Sequence, residues 1–279
     1  MTSAAPVSQL GAFVSSDGGY RFRLVSQPAD RRPRGTVILV HAFAEEMNKS
    51  RRMSARLARL LASNGWRVVQ KDLCGCGDSS GDFGDASWAT WIDDIRTELI
   101  ETDASNPIWL CCTRAGALLV SSVLENHPRV NLVLWQPVVS GAQHLQQFLR
   151  LHAGARIVGS GKVSDVASPA QRLRAGLSVE VGGYLLGPAL AAGMERAAFD
   201  VPTDFSGRIA WFELSADEAP EQSPLGSRTV QRLRERGIVV DVECLQGPSF
   251  WQTQEIEESG PLLDRSVAML AADTGQGRP

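Results

Sequence analysis

Residues 108–120 read IWLCCTRAGALLV. The run at 108–112 is apolar throughout, as in a strand that is covered on both faces. Residues 114–126 are rich in small and apolar side chains at helical spacing, and Pro128 follows them. A buried strand that turns directly into a helix is typical of a parallel sheet. The stretch therefore predicts an α/β protein with Arg114 at the turn between the two elements.

The same alternation continues on both sides of this stretch. Strands are predicted at 36–40, 67–73, 130–135, 208–214 and 239–245, and helices at 50–64, 88–101, 227–236 and 253–270. Near the start, residues 11–16 and 20–25 flank Asp17-Gly18-Gly19, where glycines supply positive φ angles for a tight turn. We expect a mostly parallel central sheet that begins with an antiparallel hairpin.

The alternation stops in the middle of the chain. From about residue 139 to 199, two helical patterns are separated by loops rich in Gly and Ser. This break predicts an inserted helical lid at 139–200. Residues 1–138 and 201–273 then form the core, and residues 274–279 a disordered tail.

Composition excludes several classes of protein. With 43% hydrophobic and 21% charged residues in 279, the chain can bury a core and is not disordered. Twenty-eight basic residues against 31 acidic ones give a net charge of −3, which argues against nucleic-acid and membrane-surface partners. The N-terminal sequence MTSAAPVSQL lacks a basic segment and an apolar run, so we expect a cytoplasmic protein without a membrane span.

The five cysteines predict neither a disulfide framework nor a metal site. They are few, odd in number and widely spaced. Cys74 and Cys76 lie close together, but a zinc site needs four ligands and no histidine is near them in sequence. We expect no metal and no cofactor.

The order of elements resembles the α/β-hydrolase fold over nearly the whole chain. In that family the strand–turn–helix carries G-x-S-x-G, in which small flanking residues let a strained turn lift the serine nucleophile. The matching residues here are Cys112-Thr113-Arg114-Ala115-Gly116. Arg114 thus stands at the nucleophile position.

The resemblance also implies positions for an acid and a base. Asp217 follows the strand at 208–214, where the acid is expected. The base should follow the last strand in a G-x-x-H pattern, and there the sequence has Gly247-Pro248-Ser249-Phe250. Neither a guanidinium nor a phenyl ring can replace the serine or the histidine.

An anion site does not need those side chains. The backbone N–H groups of Ala115 and of Ala42 or Phe43 can still form the oxyanion hole that the fold implies. A second match to G-x-S-x-G occurs at residues 77–81, around Ser79. It lies in a loop that shapes the edge of the site in α/β hydrolases, so we expect Ser79 to be structural.

Four segments resemble one type of α/β hydrolase more closely. They are the charged loop that contains Phe43, Glu45, Glu46 and Lys49, the loop at 72–85, the turn at Arg114, and residues 247–255. Together they resemble the type 2 hydrolase associated with exosortase A systems. That resemblance implies a place beside exopolysaccharide and protein-sorting genes, and a protein partner from such a system.

Arg114 needs a negative partner. A cation at the start of a helix faces the positive end of the helix dipole, and burying it unpaired would cost several kcal/mol. Glu45, Glu46 and Asp217 are the carboxylates within reach in this fold, and we expect a bidentate pair with Glu45 or Glu46. Such a network can either rigidify the site or bind a carboxylate or phosphate ligand, and the sequence leaves both open.

Other site residues have two interpretations each. His41 ends a core strand and is expected to be a hydrogen-bonded turn residue. His144 and His152 lie in the lid and could supply a replacement base, although lid histidines are usually solvated. Phe250 and Trp251 are expected to wall the pocket. The other residues expected to line a ligand are His41, Ala42, Phe43, Lys49, Ser79, Arg114 and Ala115.

Two functional hypotheses follow. In the first, the protein is weakly catalytic or non-catalytic and binds an anionic or acyl ligand, or a partner, in the former active site. In the second, it is a carboxylesterase or thioesterase in which Glu45, Glu46 or Asp217 activates water and Arg114 holds the oxyanion.

Overall fold

A computed structural model describes residues 5–158 and 167–272. Its centre is an eight-stranded sheet in the order β1-β2-β4-β3-β5-β6-β9-β10. The strands are β1 (Val7–Ser16), β2 (Gly19–Pro28), β3 (Thr36–Val40), β4 (Arg67–Lys71), β5 (Ile108–Thr113), β6 (Asn131–Trp135), β9 (Ile209–Ser215) and β10 (Val240–Gln246). Strand β2 pairs antiparallel with β1 and β4, and the remaining neighbours are parallel. The predicted sheet and its N-terminal hairpin are confirmed.

Helices cover both faces of the sheet, which explains the continuous apolar strands. Helices α1 (Glu45–Ser63) and α8 (Gly260–Ala272) pack on one face. Helices α2 (Trp88–Ile100) and α7 (Pro224–Glu235) pack on the other. All five residues of β3 are buried as a result. Among the helices of the described ranges, none is long and apolar enough to cross a membrane.

Helix α1 differs from its prediction in a way that matters for the site. It begins at Glu45 rather than at residue 50, so most of the predicted charged loop is helical. Glu45 and Glu46 occupy its first turn, where carboxylates interact favourably with the helix dipole. The early start places Glu46 beside the end of β5.

The helix predicted at 114–126 is also different. A 3₁₀ helix spans Arg114–Leu119, one α-turn (α3) spans Val120–Val123, and a second 3₁₀ turn spans Leu124–Asn126. Tight 3₁₀ winding is common at helix ends and connections. Gly116 lets this turn lie close to the end of β3, because a Cβ at this position would be 2.8 Å from the backbone oxygens of Val40 and His41.

The region between β6 and β9 contains more elements than predicted. Helices α4 (Gly141–Val158), α5 (Pro169–Arg174) and α6 (Pro188–Arg196) enclose a hairpin of β7 (Val179–Val181) and β8 (Tyr184–Leu186). Its two-residue turn, Gly182-Gly183, has φ angles of 56° and 84°. Two adjacent glycines between short β-rich runs are a hairpin signal that the sequence analysis missed. The predicted tail at 274–279 lies outside the described residues.

We predict that Gly116→Ala destabilises the protein. The added methyl group would meet two backbone oxygens that cannot move away without disturbing β3. Overpacking of this kind costs about 1–3 kcal/mol. Urea denaturation of the two proteins measures the difference in free energy of unfolding.

Gly260→Ala is the matched control. An added Cβ there meets nothing within 4 Å, so we expect its stability to equal or exceed that of the wild type. If Gly116→Ala unfolds at the same urea concentration as Gly260→Ala, the close packing of the turn against β3 is wrong.

Candidate functional site

The candidate site lies at the carboxyl edge of the parallel strands, where backbone strain is concentrated. In the described ranges three residues other than glycine have positive φ angles: Ala44 (50°), Arg114 (54°) and Gln136 (44°). They follow β3, β5 and β6, which are adjacent in the sheet. Strained backbone clusters at functional sites because it holds side chains in fixed positions. Arg114 therefore occupies the sharp turn predicted for it.

The guanidinium of Arg114 is held on three sides. Its Nε and Nη2 donate to Oε1 of Glu46 at 3.2 and 3.0 Å. Its Nη1 donates to the backbone oxygen of Gln136 at 3.3 Å. The guanidinium carbon lies 5.0 Å from the centre of the Trp251 ring. The expected ion pair is present with Glu46, but both nitrogens share one oxygen, so it is not the two-oxygen bidentate pair that was predicted.

Glu46 has an unusual environment for a carboxylate. Its second oxygen, Oε2, is buried and has no hydrogen-bond partner among the described residues. Burial raises the pKa of Glu46, while the charge and hydrogen bonds of Arg114 act in the opposite direction. Arg114 therefore satisfies only one of the two carboxylate oxygens. Leaving the other buried without a hydrogen bond costs free energy.

His144, on α4, lies near the free oxygen of Glu46. Its Nε2 lies 4.0 Å from Oε2, and its ring packs edge-on against Phe43 with centres 6.0 Å apart. Burial, with a smaller contribution from Arg114, lowers the pKa of His144 to about 4. The imidazole is therefore neutral at pH 7 and forms no ion pair with Glu46. The side chain of His152, the other lid histidine considered, lies outside what the structure describes.

The two other carboxylates expected near Arg114 lie elsewhere. Oε2 of Glu45 accepts hydrogen bonds from the Tyr184 hydroxyl at 3.1 Å and from Asn48 at 3.4 Å. Asp217 is exposed, and its carboxylate accepts a 2.5 Å hydrogen bond from the Ser215 hydroxyl. Of the three carboxylates considered, only Glu46 contacts Arg114.

Ser79 has a structural environment. Its hydroxyl donates to the backbone oxygen of Asp72 at 2.5 Å and accepts from the N–H of Phe22 at 2.9 Å. These bonds tie the loop to β2. His41 is also tied locally, with Nδ1 2.8 Å from the Ala42 oxygen, and burial lowers its pKa.

Phe250 is placed differently from the expectation that it contacts ligand. It is completely buried in the core beneath α1 and α8. Its ring packs edge-on against Trp135 and Trp251, with centres 6.1 and 5.2 Å apart. Phe250 thus supports Trp251 from below, and Trp251 is the residue that meets Arg114.

Three of the remaining predicted site residues lie beside the turn, and a fourth, Lys49, does not. Ala42, Phe43 and Ala115 are buried beside it. Lys49 is turned away, since its Nζ donates to the backbone oxygen of Gln254 at 2.9 Å.

The cysteines near the turn are not activated thiols. Cys111 and Cys112 are completely enclosed in β5, and burial raises the pKa of both far above the ordinary value. Burial also raises the pKa of Cys76 to about 12. A thiol must ionise to act as a nucleophile, so none of these three is suited to catalysis. Within residues 5–158 and 167–272, no cluster of three His, Cys, Asp or Glu side chains is arranged to bind a metal ion.

A cavity among the helices between β6 and β9 was not predicted from the sequence. A space of about 540 Å³ lies between α4, α5 and α6. Most of its lining is apolar, with Leu145, Leu149 and Leu173 as the largest apolar side chains, and Arg150 and Arg174 also line it. Leu145 and Leu149 face this cavity, whereas His144 and Phe148 on the same helix pack against Phe43. Helix α4 therefore separates the cavity from the Arg114 turn.

Comparisons with known proteins agree with this architecture. A family model described as serine aminopeptidase S33 matches residues 31–174. No curated protein matches the chain.

Several solved structures have a similar fold. Est1E from Butyrivibrio proteoclasticus with bound ferulic acid has a TM-score of 0.62 at 12% identity, covering 94% of this chain and 98% of that one. A carboxyl esterase from Bacillus coagulans scores 0.58 at 14% identity, with 95% and 97% covered. Monoglyceride lipase from Saccharomyces cerevisiae scores 0.60 at 12% identity, with 94% and 93% covered. At these identities the likeness shows an α/β-hydrolase fold.

We predict that His144 makes the protein less stable in mild acid. Its pKa of about 4 in the folded protein lies below the value of about 6.5 in the unfolded chain, so the unfolded chain binds the proton first as the pH falls. Between pH 6.5 and 4 this difference removes about 3 kcal/mol of stability. His144→Gln should lose less stability than the wild type over that range, as measured by urea denaturation at several pH values. Parallel curves for the two proteins would mean that His144 is not held neutral.

Proposed function

The chain belongs to the serine aminopeptidase S33 family. We propose that it is a ligand-binding α/β-hydrolase-fold protein with little or no hydrolytic activity. Arg114 and Phe250 take the places of the nucleophile and the base. The ligand is anionic or carries an acyl group. We assign the protein to the exosortase A-associated type on the sequence resemblance of its four characteristic segments.

One observation carries this proposal: the side chain at the strained turn after β5 is a guanidinium. Arg114 has a φ of 54° and is bound to Glu46, to the Gln136 oxygen and against Trp251. A guanidinium stays protonated and cannot attack a carbonyl carbon. The side chain that would start acyl transfer is replaced by one that binds anions.

The size of the expected loss in turnover supports a binding function. Removing the serine or the histidine of a Ser-His-Asp site lowers turnover by about 10⁶, and the rest of the site retains only about 10³ to 10⁴ over water. Serine chemistry on this scaffold would therefore be very slow. The same groups that remain, a fixed cation and backbone N–H groups, are suited to holding a carboxylate or a phosphate.

A ligand that carries an acyl group has a second candidate place in the lid, on the other side of α4 from Arg114. The cavity between α4, α5 and α6 is within the usual size range for small-molecule sites, about 300–1,000 Å³, and its lining is mostly apolar. A protein partner from an exopolysaccharide or protein-sorting system is supported by the sequence resemblance alone.

One observation favours the alternative, a carboxylesterase or thioesterase with an unusual site. The free Oε2 of Glu46 and the neutral Nε2 of His144 are 4.0 Å apart, and such a pair could activate a water molecule. Against this, the other oxygen of Glu46 is bound by Arg114, and Glu45 and Asp217 are bonded elsewhere. We therefore favour binding over hydrolysis.

We predict that the protein does not react with a fluorophosphonate probe and does not hydrolyse p-nitrophenyl butyrate or butyryl-CoA above the rate in buffer. The reason is that none of Arg114, the buried cysteines or the hydrogen-bonded Ser79 is an activated nucleophile. Mass spectrometry and a steady-state assay make the two measurements.

Variants identify the source of any activity. Hydrolysis that Glu46→Gln or His144→Gln abolishes, while Glu218→Gln leaves it intact, would establish the alternative. Probe labelling that Ser79→Ala removes would show that the serine at residues 77–81 is the nucleophile after all.

A further inference from the structure

We propose that Glu46 fills, as an internal substitute, the site at which a carboxylate ligand binds to Arg114, and that the ligand displaces it with uptake of one proton. This inference rests on the proposed function, because it names the ligand class of the same site. The carboxylate belongs to a small molecule that reaches the turn after β5.

Glu46 contacts the edge of the Arg114 guanidinium that suits a carboxylate, but with only one of its two oxygens. Nε and Nη2 form the edge at which two parallel N–H groups match the two oxygens of a carboxylate. Here both N–H groups converge on Oε1, at 3.2 and 3.0 Å, and Oε2 has no donor. A free carboxylate is not constrained by the backbone of α1, so it can place one oxygen on each nitrogen.

The other contacts that hold the Arg114 guanidinium do not involve Glu46. Nη1 is fixed by the backbone oxygen of Gln136, and the guanidinium carbon lies over the Trp251 ring, 5.0 Å from its centre. The Trp251 ring is itself supported by the buried Phe250. Arg114 can therefore keep its position when the carboxylate in front of it is exchanged, as a preformed site requires.

When Glu46 is displaced from Arg114, its carboxyl group can take up a proton and donate it in a hydrogen bond. Burial already favours its neutral form, and Arg114 is the interaction that opposes this. Once a ligand neutralises Arg114, the displaced carboxyl group gains a proton from solvent and becomes a donor. The acceptor is Nε2 of His144 in the tautomer that carries its proton on Nδ1. It lies 4.0 Å from Oε2, and a small side-chain rotation brings the two atoms within hydrogen-bond distance.

The charged groups around Glu46 limit the linkage to one proton. Arg114 faces it from the turn after β5, and His144 faces it from α4. On α1 itself, Glu45 is bonded to Tyr184 and Lys49 to the Gln254 oxygen. The segment after β10 contributes Trp251, which carries no charge.

The test uses hexanoate as the carboxylate probe and hexanamide as its neutral analogue, with calorimetry on the full chain. At pH 7, in two buffers of different ionisation enthalpy, hexanoate should bind with uptake of close to one proton, and hexanamide should not bind. Its affinity should rise as the pH falls from 8 to 5.5, by up to about tenfold per pH unit, because one proton is bound with the ligand.

Two variants and a control separate the parts of the proposal. Glu46→Gln retains an oxygen for Arg114 but no charge, so it should bind hexanoate more tightly than the wild type, without proton uptake. Arg114→Gln should lose binding. Glu218→Gln, an exposed carboxylate changed in the same way, should behave as the wild type.

Three results would overturn the proposal. Binding without proton uptake would mean that Glu46 stays in place. Binding by Glu46→Gln alone would mean that the internal pair is permanent. Absence of binding by both would mean that Arg114 is not an anion site. None of these results depends on the esterase assay, so hydrolysis would refute the proposed function while leaving this test interpretable.

Discussion

The ion pair between Arg114 and Glu46 is the constraint on which the candidate site depends. A guanidinium at the edge of this sheet is largely removed from water, with its side chain 17% exposed, and it sits on a strained backbone at the start of a helix. Each of these conditions disfavours an unpaired cation. A carboxylate must therefore lie within contact distance, and the surrounding elements are arranged so that one does.

Two features of the chain place a charged carboxylate beside Arg114. Helix α1 begins directly after Ala44, whose φ of 50° turns the chain so that Glu46 falls in the first helical turn. The positive end of the α1 dipole then favours the charged form of Glu46. Burial opposes that charge, and His144 adds no positive charge to restore it. The carboxylate is thus retained mainly by Arg114, which makes the two groups interdependent.

The main features of the fold could be predicted from the sequence because helices cover both faces of the sheet. That burial leaves continuous apolar strands such as β3 and β5, whose limits are easy to recognise. The ion pair at Arg114 was also predictable in kind, since a buried cation needs a partner. The choice of Glu46 over Glu45 was not, because it depends on where α1 begins, and no side-chain cap marks that position.

Long-range packing explains the other differences. Phe250 reads as a pocket residue in sequence, but it packs against Trp135 and Trp251 in the core and is completely buried. His144 looks like an ordinary lid residue until α4 is folded against Phe43. The cavity requires the successive helices α4, α5 and α6 to pack around one space. Local patterns carry no information about such contacts.

A double-mutant cycle on stability tests the interdependence of Arg114 and Glu46 most directly. Arg114→Met and Glu46→Leu should each destabilise the protein, because each leaves the other charge without its partner. The double variant should recover much of the loss, with a coupling free energy of about 1–3 kcal/mol. Additive effects of the two substitutions would contradict the account, since the charges would then be independent of each other.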